Sequence, residues 1–131
     1  MRQTMALLAL LPAMGIAGCF ESGRTTSEIE LQCYAVATAT ERDLTSRIHV
    51  RDELKADGNI PSELELEYQA YRRSDVKQLS AATSIKNRFG AAWATAEPES
   101  SKAIQEDADR KFEEDRIQFL NGECGGELSA S

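Results

Sequence analysis

Apolar residues recur along the chain at steps of three and four, the spacing of one face of an α-helix. Three such stripes are separated by turn-forming residues, at Asp57-Gly58 and at Glu97-Pro98. We find no alternating apolar and polar run long enough to predict a β-strand. The pattern therefore predicts an all-α protein, folded as a small up-down-up bundle of three helices.

The first stripe predicts a helix at about residues 27–56. Ser27 and Glu30 form a capping box, in which each side chain bonds a free backbone N–H of the first turn. Gly58 follows the last apolar position and can take the left-handed conformation that closes a helix. The apolar positions are Ile29, Cys33, Val36, Thr40, Leu44, Ile48 and Leu54.

The second stripe predicts a helix that begins at Pro61, which suits a first turn because its missing N–H costs nothing there. Its apolar positions are Leu64, Tyr68, Tyr71, Leu79, Ala82, Ile85, Phe89, Trp93 and Ala96, with Asp75 and Gln78 as polar exceptions. The phase of the stripe is unchanged through residues 72–75, which favours one continuous helix. A break near Ser74 is the alternative, and it would give a four-helix array.

The third stripe predicts a helix from Pro98 to Asn121-Gly122. Its apolar positions are Ile104, Ala108, Phe112 and Phe119, with Ile117 and Leu120 at the flank. Residues 125–131 have no packing pattern and are expected to form a flexible tail. The folded domain is therefore expected to span residues 27–124, with Phe89, Trp93 and Phe112 in its core.

Residues 1–18 have a different pattern. Arg2 gives a positive start, and an apolar stretch of 13 residues, interrupted by Pro12, runs from Ala6 to Gly18. A transmembrane helix needs about 20 apolar residues, so this stretch is too short to span a bilayer. It is typical of an export signal that is removed from the mature protein.

The signal ends in Ile16-Ala17-Gly18-Cys19, which resembles the lipobox of bacterial lipoproteins. The resemblance covers about twenty residues. It implies that Cys19 receives a diacylglyceryl group, becomes the first residue after cleavage, and anchors the chain through acyl groups such as palmitate. Phe20 stands where Asp would imply retention in the inner membrane, so the resemblance favours the outer membrane, facing the periplasm. Residues 19–26 would be the tether, and an ordinary secretory signal is the alternative.

Charge argues against one class of partner. Of the 15 basic and 22 acidic residues, only Arg2 lies in the signal, so the remaining chain carries a formal net charge of 14 − 22 = −8. Affinity for nucleic acid comes mostly from Lys and Arg that neutralise phosphates. Nucleic acid is therefore not expected as a partner.

Cys33 and Cys124 remain, and an even pair of cysteines in an exported chain predicts a disulfide. Closing a loop of about 91 residues is expected to stabilise the fold by about 4–5 kcal/mol in the chain-entropy model. Idealised helix lengths conflict with this pair, because an up-down-up bundle places Cys33 and the end of the third helix at different heights. Two buried free thiols are the alternative.

Candidate chemistry is sparse. Ser46, His49 and either Asp52 or Glu53 are spaced to share a helix face, but a mid-helix face has no free N–H groups for an oxyanion. Oppositely charged residues four apart indicate that the acidic run of the third helix is a solvated face. That run comprises Glu106, Asp107, Asp109, Glu113, Glu114 and Asp115, with Lys102, Arg110 and Lys111 as the partners.

Two further features admit a binding role. Arg72-Arg73, beside Tyr68 and Tyr71, could contact anionic headgroups or a glycan, although tyrosines in the core and solvated arginines are the simpler interpretation. Trp93, beside the small residues 90–92, could mark a groove for a partner, although a core anchor is the simpler interpretation.

The sequence predicts a lipid-anchored helical envelope protein that acts as a binding or interaction module. Its expected partners are the membrane, through lipidated Cys19, and another envelope protein or a glycan. We assign no catalytic, cofactor-binding or metal-binding residue. Two alternatives from other classes remain: a hydrolase that acts on envelope material, and a carrier that holds a small ligand between its helices.

Overall fold

The computed structural model describes residues 26–129. Within that range the chain is all-helical and has no strand, which confirms the predicted all-α class. Its helices are α1 (Thr26–Ala56), a 3₁₀ helix (Ser62–Leu64), α2 (Glu65–Arg88), α3 (Gly90–Ala94), α4 (Pro98–Arg110) and α5 (Glu113–Glu123).

The long helix α1 lies at the centre, because α2, α3, α4 and α5 all pack against it. Its bounds agree with the predicted helix at 27–56 to within a residue. It ends at Ala56, and Gly58 in the turn that follows has φ +74°, a conformation that glycine adopts without steric cost. The N–H of Gly58 donates to the carbonyl of Lys55 at 3.0 Å, which closes the last turn.

The middle of α1, residues 33–44, is buried on several sides. Its buried residues are Cys33, Ala35, Val36, Ala37, Ala39, Thr40 and Leu44. The predicted stripe contained four of these residues and missed the three alanines. A helix stretch that is apolar all round is buried by neighbours on every side, and short side chains let those neighbours come close. The alanines therefore fit the central position of α1.

Helix α2 runs antiparallel to α1 and passes through Ser74 without a break, so the predicted continuity across residues 72–75 is confirmed. The four-helix array that depended on a break there is wrong. The second helix nevertheless ends earlier than predicted, because a turn at Phe89 separates α2 from α3. Gly90, a poor helix former, follows that turn.

The third predicted helix is two helices, which corrects the three-helix bundle. Lys111 and Phe112 are extended, with ψ of 145° and 157°, so α4 ends before them and α5 begins after them. The residues that follow, Glu113, Glu114 and Asp115, form an acidic first turn, the charge favoured at a helix N-terminus.

Buried Arg116 holds the turn between α4 and α5 closed. Its guanidinium donates to the carbonyl oxygens of Ala108 at 3.2 Å and Asp109 at 3.0 Å, and it also pairs with Asp43 of α1. The last carbonyls of a helix lack partners within the helix. One side chain thus supplies those partners and ties the turn to α1.

The reversal at this turn allows the predicted disulfide. Helix α4 runs alongside α1 in the same direction, so that Gln105 donates to the carbonyl of Ala35 at 3.1 Å. Helix α5 then runs back and brings Cys124 to Cys33, with their Cα atoms 5.7 Å apart. An unbroken third helix would carry Cys124 away from Cys33, which was the conflict in the predicted topology.

The C-terminal segment also departs from expectation. Leu128 is buried in the core, and the side-chain amide of Asn121 exchanges two hydrogen bonds of 2.8 Å with its backbone. Gly126 passes so close to α2 that a Cβ there would lie 2.8 Å from Ile85 Cδ1. Within the segment 125–131, predicted as a flexible tail, Leu128 therefore packs into the core.

Four apolar residues of the predicted stripes lie at the surface. Phe112 is 79 % exposed because it belongs to the extended connection and not to a helix face. Tyr71, at the flank of α2, is 55 % exposed, Leu64 of the 3₁₀ helix 44 %, and Leu54 near the end of α1 42 %. Phe89 and Trp93 are partly buried against the core, as predicted for core anchors.

Candidate functional site

Most of the exposed apolar surface lies in one part of the molecule. We call residues 47–76 the distal hairpin: it contains the last ten residues of α1, the turn at Gly58, the 3₁₀ helix, and the N-terminal half of α2. Seven large apolar side chains are exposed among residues 26–129, and all but Phe112 lie in the distal hairpin. They are Val50, Leu54, Leu64, Leu66, Tyr71 and Val76.

A buried carboxylate joins the two helices at the base of the distal hairpin. Asp75 of α2 is 2 % exposed and pairs with both Arg47, at 3.3 Å, and Arg51 of α1. Arg47 also reaches Glu113 of α5 at 2.7 Å, which links the hairpin to the turn between α4 and α5. The buried amide nitrogen of Gln78 has no hydrogen-bond partner within the described chain.

One side of the distal hairpin is polar. Asp52 of α1 accepts two hydrogen bonds from Arg72, at 2.7 and 3.0 Å, and one from the hydroxyl of Tyr68 at 2.9 Å. The bonds from Arg72, and then the bond from Tyr68, lower the pKa of Asp52 to about 2. These residues and Lys55 line a shallow depression of about 420 Å³. The charged side chains of this depression form ion pairs within the protein, and the partner of Arg72 is Asp52.

The opposite side of the distal hairpin is an apolar groove of about 270 Å³. It is lined by Arg51, Asn59, Ile60, Pro61, Leu64, Glu67, Tyr68 and Tyr71. The guanidinium of Arg51 lies over the ring of Tyr71, 5.4 Å from its centroid. Tyr68 lines both sides and so forms the wall between them.

Sequence reasoning missed this groove because Tyr71 and Leu64 were assigned to the core. A signal was available in Asp75 and Gln78, which interrupt the apolar stripe and are themselves buried. Because the carboxylate of Asp75 faces α1, the apolar positions on this part of α2 do not all face α1. Tyr71 therefore lies at the flank of α2, where it is exposed.

The residues considered for a catalytic triad do not form one. Nε2 of His49 lies 2.9 Å from a carboxylate oxygen of Glu53, and both side chains are mostly exposed. Asp52 points to Arg72 and Tyr68 instead, and Ser46 is exposed. What remains is a solvated i,i+4 pair on the outer face of α1.

The acidic run divides between two helices. Asp107 pairs with Arg110 at 3.7 Å and with Lys111 at 3.9 Å, in line with a solvated, ion-paired face. The proposed pairs from Arg110 and Lys111 to Glu114 and Asp115 would have to cross the extended connection. The pattern four residues apart was therefore misleading there, because the helix ends between the partners.

Trp93 is partly buried and stacks on Tyr34, with ring centroids 4.6 Å apart and ring planes 17° from parallel. It therefore anchors α3 to α1. Cys19, the lipobox and the export segment lie outside the described residues. The other two predicted site residues, Cys33 and Cys124, form the buried disulfide.

In residues 26–129 no group of three or more His, Cys, Asp or Glu side chains is arranged to hold a metal ion. The helices of that range contain no segment both long and apolar enough to cross a bilayer. Comparison of the chain with protein-family models, curated proteins and solved structures gives no match. The distal hairpin is therefore the candidate site on geometric grounds alone.

Proposed function

We propose that the chain is a lipid-anchored protein of the bacterial cell envelope that binds another envelope component. The observation that carries the proposal is the apolar segment that ends in Ile16-Ala17-Gly18-Cys19. In the lipoproteins that this motif resembles, the cysteine becomes the acylated first residue. The lipid would then join the fold through residues 19–26, at the start of α1.

The disulfide between Cys33 and Cys124 supports a location outside the cytoplasm. Disulfides persist in the periplasm and at cell surfaces, whereas cytosolic thiols are kept reduced. The motif favours the outer membrane, with the domain in the periplasm, because Phe20 follows Cys19.

A binding role is supported by how the polar side chains are used. Asp52, Arg72 and Asp75 are engaged in ion pairs between α1 and α2, where they hold the hairpin together. The exposed apolar residues are concentrated in the same hairpin. Concentrated apolar exposure on a small domain is typical of an interaction surface.

Acyl labelling tests the anchor. Expressed in a bacterium with lipoprotein-processing enzymes, the protein should incorporate labelled acyl chains and partition into detergent, and Cys19→Ser should abolish both. Cys33→Ser is the matched control: it removes a different cysteine and should leave labelling unchanged. Labelling of the Cys19→Ser protein would contradict the proposal, and fractionation of the envelope would separate inner from outer membrane.

A further inference from the structure

The apolar groove of the distal hairpin continues onto α1. Arg51 of α1 lines the groove, and Leu54, three residues after Arg51 and four after Val50, neighbours both on the surface of that helix. Leu64 and Tyr71, two helical turns apart, form the opposite wall. All four apolar residues are at least 42 % exposed. Their arrangement along both walls gives a channel suited to one face of a helix.

The hairpin tip beside the groove is acidic, and Glu67 lines the groove itself. Asp57, Glu63 and Glu67 are exposed at the tip, and none of the three has an ion-pair partner within 4.0 Å among residues 26–129. The two cations nearest the tip are already paired, Arg51 with Asp75 and Lys55 with Glu65. The tip therefore presents an excess of negative charge beside apolar side chains.

We propose that this groove binds an amphipathic, basic segment of a partner protein, a proposal that rests on the binding role proposed above. The apolar stripe of such a segment would lie between Leu54, Leu64 and Tyr71. Its Lys or Arg residues would meet Asp57, Glu63 and Glu67. Helices commonly bind in this way, with side chains at i, i+3, i+4 and i+7 in the groove.

Charge argues against the other occupants of such a groove. A second copy of the chain would bring one acidic tip against another, and the whole chain has a formal net charge of −7. A membrane surface rich in anionic lipids would repel the tip for the same reason. A basic partner gains from the same charges, and complementary charge raises both specificity and association rate.

The groove lies at the end of α1 opposite the proposed lipid anchor, so a partner could bind it away from the membrane. The helix α1 has 31 residues and is about 45 Å long. Thr26 lies at one of its ends, together with the disulfide and the C-terminal segment, and the hairpin tip lies at the other. A lipid joined ahead of Thr26 would leave the tip free to reach into the surrounding compartment.

Binding of a defined peptide tests the proposal. The probe is a fluorescent peptide of Leu and Lys, about 18 residues long, with its leucines on one helical face. A scrambled peptide of the same composition has no such face. The full-length oxidised protein is used as isolated, in phosphatidylcholine nanodiscs if it is membrane-bound and in buffer if it is not, with empty nanodiscs as the blank. We expect the amphipathic peptide to bind at least about tenfold more tightly than the scrambled one.

Matched variants locate the site. Leu64→Ala and Tyr71→Ala should each weaken binding by about tenfold or more, as expected for groove anchors. Leu66→Ala is the control, because Leu66 is 80 % exposed on the opposite face of α2 and should change binding by less than about twofold. Circular dichroism checks that each variant remains helical.

A second pair of variants isolates the charge. Glu63→Gln with Glu67→Gln should weaken binding several-fold, and about 0.5 M salt should do the same to the wild type. Removing two acids elsewhere, by Glu106→Gln with Glu123→Gln, should have little effect although the net charge changes equally.

Three results would overturn the proposal: equal binding of both peptides, equal losses for Leu64→Ala and Leu66→Ala, or a dimer that Tyr71→Ala dissociates. The third result would assign the groove to a second copy of the chain. A protein that lacks acyl label but still binds the peptide through Leu64 and Tyr71 would refute the lipid anchor and leave the groove in place.

Discussion

The two ends of the molecule are held together by different forces. At the end that contains the disulfide, the core is apolar, and α1 is surrounded by α2, α3, α4 and α5. Its buried members are Cys33, Ala35, Val36, Ala37, Ile85, Ala108, Ile117, Leu120, Cys124 and Leu128. None of these lies in residues 47–76. There the two helices are joined by Asp75 with its two arginines and by Asp52 with Arg72.

This difference suggests that one end of the molecule stabilises the fold, whereas the other end positions exposed side chains. Apolar burial contributes about 25 cal/mol per Å² and is indifferent to direction, so the disulfide end carries most of the stabilisation. Ion pairs near the surface contribute only about 0–1 kcal/mol each, but they fix the position of the groups that form them. The distal hairpin is therefore expected to open locally at a lower free energy than the core.

The largest effect should follow removal of the disulfide. Reduction, or Cys33→Ser with Cys124→Ser, should lower the free energy of unfolding by about 4–5 kcal/mol, because the open chain regains the entropy of a loop of about 91 residues. Chemical denaturation with and without reductant measures this loss. Two alkylatable thiols in the native, non-reduced protein would contradict the pairing.

Next in size is the contrast between apolar residues of the two ends. Leu120→Ala, at a fully buried position, should cost about 2–5 kcal/mol. Leu66→Ala and Phe112→Ala should each cost less than about 0.5 kcal/mol, because both residues are mostly exposed. Urea denaturation compares the three. A large loss at Phe112 would restore the unbroken third helix that the sequence predicts.

The sequence was informative wherever local chemistry decides the structure. Short-range signals in the sequence are the Ser27–Glu30 pattern, Gly58 and Pro98. Each marks a helix end that lies within one or two residues of its predicted position. The disulfide was also predictable, because it depends on compartment and on an even cysteine count more than on geometry.

The sequence failed where a distant residue decides. Nothing near Lys111-Phe112 forbids a helix, and the break is held from outside by Arg116 and its partner Asp43 of α1. The groove was missed for a similar reason. Asp75 is an unfavourable core residue until Arg47 and Arg51, from another helix, neutralise it.

The buried carboxylate should matter to the distal hairpin more than to the core. Asp75→Asn removes the negative charge that Arg47 and Arg51 share and leaves one acceptor oxygen in place of two, and we expect a loss of about 1–3 kcal/mol. The two arginines are more than a quarter exposed and can turn to water, which limits the loss. Asp107→Asn is the control, because its carboxylate is exposed with i,i+3 and i,i+4 partners and should contribute about 0.5 kcal/mol or less.

Hydrogen exchange distinguishes a local effect from a global one. In Asp75→Asn, amides of residues 47–76 should exchange faster while those around Leu120 keep most of their protection. Equal acceleration at both ends would show that the hairpin and the core unfold as one unit.

The smallest effect is the response of the polar side of the hairpin to acid. Hydrogen bonds from Arg72 and Tyr68 lower the pKa of Asp52 from 3.8 to about 2 in the folded protein. The folded state therefore prefers the ionised carboxylate. Its contribution to stability is complete above about pH 4 and is lost as the pH falls through about 2.

Other carboxylates titrate in the same range, so the contribution of Asp52 must be obtained as a difference. Burial raises the pKa of Glu41, but hydrogen bonds from Lys86 and Thr83 outweigh it and lower that pKa overall. Burial likewise raises the pKa of Asp43, and Arg116 lowers it overall. Between pH 4 and pH 2, Asp52→Asn should lose less stability than the wild type, since one stabilising ionisation is gone. Arg72→Gln should raise the pKa of Asp52 toward 3.8, as followed by carboxyl NMR. An unchanged pKa in Arg72→Gln would mean that Tyr68 alone holds the carboxylate, and that the polar side of the hairpin is joined by a neutral hydrogen bond.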